Sequence, residues 1–188
     1  YSKRALPVLM WIAQLAKDQG DLIPVRLVKG AYWDTEIKLC QQMGLESYPV
    51  YTRKASTDAS YLACARFLLS AHTEGAIYPM FATHNAHTVT AIRRMAANRE
   101  FEFQRLHGMG DELYDCVLGQ SGRTNVRIYA PVGAHKDLLP YLVRRLLENG
   151  ANSSFVHKLV DPNTPISSLV NHPLESLQHL PSLANDKI

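Results

Sequence analysis

Apolar positions along the chain switch repeatedly between helical and strand spacing. Residues 5–18 carry Leu6, Leu9, Ile12, Ala13 and Leu15 or Ala16 at helical intervals and stop at Gln19-Gly20, which predicts a helix. Residues 25–31, VRLVKGA, are β-rich and predict a strand, after which residues 34–43 resume helical spacing and end at Gly44. The stretch 48–53, YPVYTR, is a further strand candidate with Pro49 near its start. A helix over 58–71 follows, with Leu62, Ala65, Phe67, Leu68 and Leu69 as its core side. Then come a strand over 77–82, a helix over 86–98, a strand over 101–106, a short helix over 111–118 and a strand over 126–132.

The strands begin near Val25, Val50, Ile77, Phe101 and Val126. Strand–helix alternation of this kind implies a parallel sheet with right-handed crossovers. It leaves an open doubly wound sheet and a (β/α)8 barrel as the two candidate folds. Polar side chains favour the barrel. Lys29 and Tyr32, then Thr52, Arg53 and Lys54, then Thr83, His84 and Asn85, then Gln104 and His107, then Tyr129 all fall at strand C-terminal ends. A barrel builds its site from many such ends, whereas an open sheet concentrates its ligand at one switch point. A barrel of about 250 residues needs eight strands, so the expectation is a (β/α)8 barrel of which about the last five β/α units are present. With no initiator Met and a helical pattern almost from Tyr1, the chain is expected to be a fragment, with the other three units preceding it.

The helix expected over 137–149 is two-faced, with Pro140 placed in its first turn and Gly150 as its stop. Leu138, Leu139, Leu142, Val143, Leu146 and Leu147 share one side, the usual buried stripe. Tyr141, Arg144, Arg145 and Glu148 share the other, at spacings of three and four that make them neighbours. Such a face is either solvated, with Glu148 paired to an arginine, or a site. Adjacent arginines grip a carboxylate with planar forks and stay charged at any working pH, which points to a small anionic substrate.

Composition narrows the rest. The 188 residues are 46% hydrophobic with a formal charge of +3, and the basic residues are scattered, so one ordinary core is expected and nucleic-acid binding is not. Cys40, Cys64 and Cys116 are far apart and odd in number, which argues against a disulfide framework and makes a reducing cytosol the default. No apolar run approaches the roughly 20 residues of a membrane span. Lys29, beside Gly30, is read as a cation for a ligand, with a Schiff-base nucleophile as the alternative. His84 and His87 lack a third ligand nearby and are read as hydrogen-bonding groups, with no metal site expected. Gly108-Met109-Gly110 hints at close backbone approach. Arg26 lies on the strand face opposite Val25 and Leu27 and calls for an anionic partner such as a cofactor phosphate.

VRLVKGAYWD from Val25, YPVYTRK from Tyr48, YPMFATHNA from Tyr78, FEFQRLHGMG from Phe101, and RIYAPVG with YLVRRLLENGANSSF resemble the proline dehydrogenase domain of bacterial proline utilization A. LVDPNTPISSLVNHPLESL also resembles the segment leading toward that family's glutamate-semialdehyde dehydrogenase domain. Residues 161–188 hold Pro162, Pro165, Pro173 and Pro181 among Ser, Asn and His with little apolar periodicity, and are read as a linker or packed tail after a distal barrel part over 1–160. The resemblance implies a distorted barrel flavoenzyme that oxidises L-proline to 1-pyrroline-5-carboxylate, with FAD taking the hydride and quinone taking the electrons. Arg144 and Arg145 would grip the proline carboxylate, Tyr141 and Tyr129 would shape the pocket, and Leu106 would pack on the substrate ring. Flavin contacts would be Arg26, Val28, Gly30, Trp33, Thr52, Lys54, Thr83, His84, Asn85, Gln104, Glu148, Ser154 and Phe155, with Tyr32 near the isoalloxazine. Complete members also use a lysine and an aspartate from earlier strands. Implied partners are the rest of the barrel and an aldehyde dehydrogenase domain, with a homodimer as one way to cover exposed strand edges. The implied location is cytoplasmic, peripheral to the inner membrane. The competing reading is a non-catalytic structural fragment that assembles through its sheet edges without flavin.

Overall fold

The computed structural model describes residues 1–120, 124–150, 158, 161–185 and 188. Its centre is a parallel sheet of β1 (Ile23–Val28), β2 (Ile77–Ala82), β3 (Glu102–Leu106) and β4 (Asn125–Tyr129), in the order β1-β2-β3-β4. Sequential order with no reversal is the arc of a barrel; a doubly wound sheet would contain a switch point. Around it lie α1 (Ala5–Gln19), α2 (Trp33–Gln42), α3 (Lys54–Leu68), α4 (Ala86–Ala96), α5 (Asp111–Gln120) and α6 (His135–Gly150).

Register divides the sheet into two chemically different faces. Leu27, Phe81, Phe103 and Val126 are successive partners across the four strands, and the first three are buried. They face the helices, where Tyr61, Cys64 and Leu68 of α3, Val89 and Ile92 of α4, and Tyr114 and Val117 of α5 complete the core. Phe103 sits at the middle, edge-on to Phe101 at 5.1 Å and to Tyr114 at 5.8 Å between ring centres. The other face carries Arg26, Val28, Met80, Ala82, Glu102, Gln104, Leu106, Arg127 and Tyr129, because side chains alternate along each strand. α1 adds Leu9, Ala13 and Ala16 to the core as one stripe and ends at Gly20, whose φ of 71° suits a residue without Cβ.

Three expectations change. Residues 48–53 are not a strand of the sheet, which has four members: β1 and β2 pair with each other over their full length and leave no slot between them. Val50 instead makes an isolated antiparallel bridge to Ser2, with Tyr51 N–H donating to Tyr1 C=O at 2.8 Å, and α3 starts at Lys54. Second, α6 begins at His135, so Pro140 lies inside it and removes one helical hydrogen bond. Third, the α6 apolar stripe is not buried. Leu146 and Leu147 are 73% and 71% exposed, while Tyr141, Arg144 and Arg145 are half-buried. The polar face is the one that packs inward.

In the tail, α7 (Ile166–Val170) and α8 (Pro173–Gln178) are short helices, and α8 packs on α3. The Arg53 Nε–H donates to Ala184 C=O at 2.9 Å and the Asn185 N–H to Thr52 Oγ1 at 2.9 Å. Removing the core's central ring tests this arrangement: Phe103→Ala is expected to cost about 3–5 kcal/mol. Urea unfolding of the protein measures it, and a loss near zero would mean that Phe103 does not organise the core.

Candidate functional site

A cavity of about 1040 Å³ opens at the C-terminal ends of the strands. Its floor is the inner sheet face, supplied by Arg26, Val28, Ala82, Gln104, Leu106 and Tyr129. Loops after the strands add Lys29, Gly30, Tyr32, Trp33, Thr83, His84, Asn85 and Met109, and the turn before α3 adds Tyr51, Thr52, Arg53 and Lys54. Tyr141 and Arg145 reach it from α6.

Several wall residues are held by identifiable contacts. The Arg26 Nε–H donates to Gln104 Oε1 at 2.6 Å, and its guanidinium lies 5.1 Å from the centre of the Tyr129 ring. Among the described residues Arg26 thus meets an amide oxygen and a phenol ring. Trp33 Nε1–H donates to Tyr51 C=O at 2.7 Å. Asn85 caps α4 by accepting the Thr88 N–H at 3.1 Å, and Tyr114 O–H fixes the loop through Thr83 C=O at 2.6 Å. Gly30 leaves room for the Tyr1 ring, into which a Cβ would run.

The cationic side of the cavity centres on Asp58. It takes ion pairs from Lys29 and, at 2.5 Å, from Lys54 one helical turn earlier. Burial lowers the Lys29 pKa against the pull of Asp58. Burial works against the Asp58 carboxylate, yet the two ammonium groups hold its pKa below the ordinary value. One carboxylate thus serves two cations, and the pairing gives Lys29 the role of a held positive charge.

On α6, Arg144 lies over the Tyr32 ring at 5.2 Å and near Tyr141 at 5.9 Å, while Arg145 lies over Tyr141 at 5.1 Å. The Nε of Arg144 is enclosed and meets no hydrogen-bond acceptor among the described residues. An enclosed donor of this kind is a place where an acceptor from a ligand fits. Burial raises the Tyr129 pKa, keeping its phenol neutral.

The cavity therefore gathers Arg26, Val28, Gly30, Tyr32, Trp33, Thr52, Lys54, Thr83, His84, Asn85, Gln104, Leu106, Tyr129, Tyr141 and Arg145 from the residues expected to form a site. Arg144 stands beside it over Tyr32. The Glu148 side chain, Ser154 and Phe155 lie outside the described residues. Sequence reasoning missed Asp58 and Glu102. The first was signalled by its place four residues after Lys54, the second by the alternation in FEFQRL, which puts it on the Gln104 face. Among the described residues no group of three His, Cys, Asp or Glu is placed to hold a metal, and no helix is long and apolar enough to cross a membrane. Cys40 and Cys64 are buried and Cys116 is exposed, all unbridged.

An arc of parallel strands with a cavity at their C-terminal ends defines a ligand-binding protein of the α/β-barrel type. The family model for proline dehydrogenase matches residues 1–158, and the chain belongs to that family. It is 53% identical to the bifunctional protein PutA of Salmonella typhimurium over 96% of its length, and spans 14% of that protein. It is 33% identical to the human mitochondrial proline dehydrogenase 1 over 84% of its length and 27% of that relative's. A crystal structure of Bradyrhizobium japonicum proline utilization A, in a mutant form, superposes with a TM-score of 0.94 at 50% identity, covering 100% of this chain and 19% of that one.

His84 supplies a pH test. Its Nε2 accepts the Leu106 N–H at 3.2 Å, and burial, aided by Arg105, lowers its pKa below the ordinary 6.5. The unfolded chain then takes up the proton first, so stability is complete above 6.5 and declines as pH falls through that value toward the folded pKa. Urea midpoints measured between about pH 8 and 5 should show this slope, and His84→Gln should make it shallower, leaving the share of His87, whose pKa burial also lowers. An unaltered slope would place the titrating group elsewhere.

Proposed function

We propose that, within its complete protein, this chain builds the flavin- and proline-binding side of a proline dehydrogenase that oxidises L-proline to 1-pyrroline-5-carboxylate. The observation that carries the reading is the inward turn of the Tyr141–Arg144–Arg145 face of α6 beside a cavity floored by the polar side of the sheet. The cavity volume lies at the upper end of the roughly 300–1,000 Å³ of small-molecule sites, enough for a dinucleotide cofactor with a small substrate beside it.

The residues present fit FAD. Arg26, Lys29, Arg53 and Lys54 supply positive charge for a pyrophosphate, Thr52, Thr83 and Asn85 supply polar groups, and Val28, Tyr32 and Trp33 supply apolar and planar surface. His84, Gly30 and Gln104 complete that wall, with Glu148, Ser154 and Phe155 assigned to it from the family resemblance. FAD, when bound, supplies the hydride acceptor, and the protein contributes orientation and electrostatics.

For the substrate, Arg144 and Arg145 hold the carboxylate in planar forks, and the enclosed Nε of Arg144 offers it a donor. Tyr129, Tyr141 and Leu106 enclose the ring and exclude water. The reacting carbon is then fixed relative to the cofactor, and proximity carries much of the rate. Tyr32, under the Arg144 guanidinium, joins the substrate end of the site to the flavin end. The relative from Bdellovibrio bacteriovorus, 36% identical with a TM-score of 0.86, is described as inactivated by N-propargylglycine, which like proline is a secondary amine next to a carboxylate. The same reading makes quinone the electron acceptor, gives the parent protein an aldehyde dehydrogenase domain beyond the tail at 161–188, and places it in the cytoplasm at the inner membrane surface. The remaining barrel, or a second copy, covers the free edges of β1 and β4.

Arg144→Met and Arg145→Met in the full-length protein should each raise the KM for proline by about tenfold or more and leave FAD affinity within about twofold. An unchanged KM in both variants would remove the carboxylate grip, and with it the substrate assignment.

A further inference from the structure

Glu102, the first residue of β3, is a carboxylate on the inner sheet face and only 2% exposed. A buried charge is costly unless fully paired. Here the pairing is complete on both oxygens. Arg127 donates Nε–H to Oε1 at 2.8 Å and Nη2–H to Oε2 at 2.9 Å, and Gln104 donates Nε2–H to Oε1 at 2.7 Å.

The Gln104 bond has a directional consequence. An amide can turn end for end, but a carboxylate accepts only, so Glu102 selects the orientation with the Gln104 NH2 toward itself. The Gln104 carbonyl is thereby aimed at Arg26, whose Nε–H it accepts at 2.6 Å. The reverse orientation would set the amide NH2 against a guanidinium that can only donate. Gln104 and Arg26 line the cavity, while Glu102 and Arg127 stand behind it.

We propose that Glu102, clamped by Arg127, is a positioning residue: it sets the Gln104 amide, which fixes the Arg26 guanidinium at the cavity wall for an anionic ligand group. That the ligand is FAD rests on the function proposed above.

Two readouts on the full-length protein test this. In the cofactor-stripped protein, Glu102→Gln should speed phenylglyoxal modification of Arg26 by about tenfold, read by peptide mass spectrometry, with Arg53 unchanged as the internal reference. In FAD titrations, Glu102→Gln and Arg26→Met should each weaken binding by about tenfold, and the double variant should be no worse than Arg26→Met alone. An unchanged rate at Arg26 overturns the proposal. So do losses that add in the double variant, since Glu102 would then act on the sheet as a whole. Faster modification of Arg26 with unaltered FAD affinity upholds the positioning network and counts against the flavin reading. Arg127→Gln, at the more exposed end of the same clamp, provides both readouts if Glu102→Gln does not fold.

Discussion

Four parallel strands in register oblige alternate residues to point to opposite faces, and the protein depends on what it places on each. One face is a row of aliphatic and aromatic side chains from Leu27 to Val126, sealed by α3, α4 and α5. The other is polar, and its charges are held in place by one another: Glu102 by Arg127, Gln104 by Glu102, Arg26 by Gln104. A slip of one residue in any strand would exchange the two sets, putting Arg26 or Glu102 into the aromatic core. The apolar row therefore secures the register, and the register places the polar wall.

The helix α6 repeats this division in another geometry. Its arginines and tyrosine turn toward the cavity while its leucines face outward, which is the reverse of the burial that periodicity alone implies. Hydrophobic periodicity reports that a helix has two faces, but not which neighbour each will meet.

Much of this was readable from the residues. The strands at 25–31, 77–82 and 101–106 stand out because VRLVKGA, IYPMFA and FEFQRL carry strong β patterns, and the polar residues at their ends, His107 apart, line one cavity. YPVYTR reads as a strand because its local propensity is genuine; pairing between β1 and β2 is a long-range fact that propensity cannot contain. Asp58 and Glu102 are not legible in the sequence for a related reason. Each looks like an ordinary surface carboxylate until the fold brings Lys29 or Arg127 against it. The family motifs carried the assignment of roles, since chemistry at a barrel mouth is not fixed by the barrel itself.

The most direct test of the central claim is an anaerobic titration of the FAD-loaded full-length protein with L-proline, followed by visible absorption. The account predicts a retained flavin band that bleaches as proline is added. A protein that retains no flavin, or whose band stays unchanged at saturating proline, would contradict it.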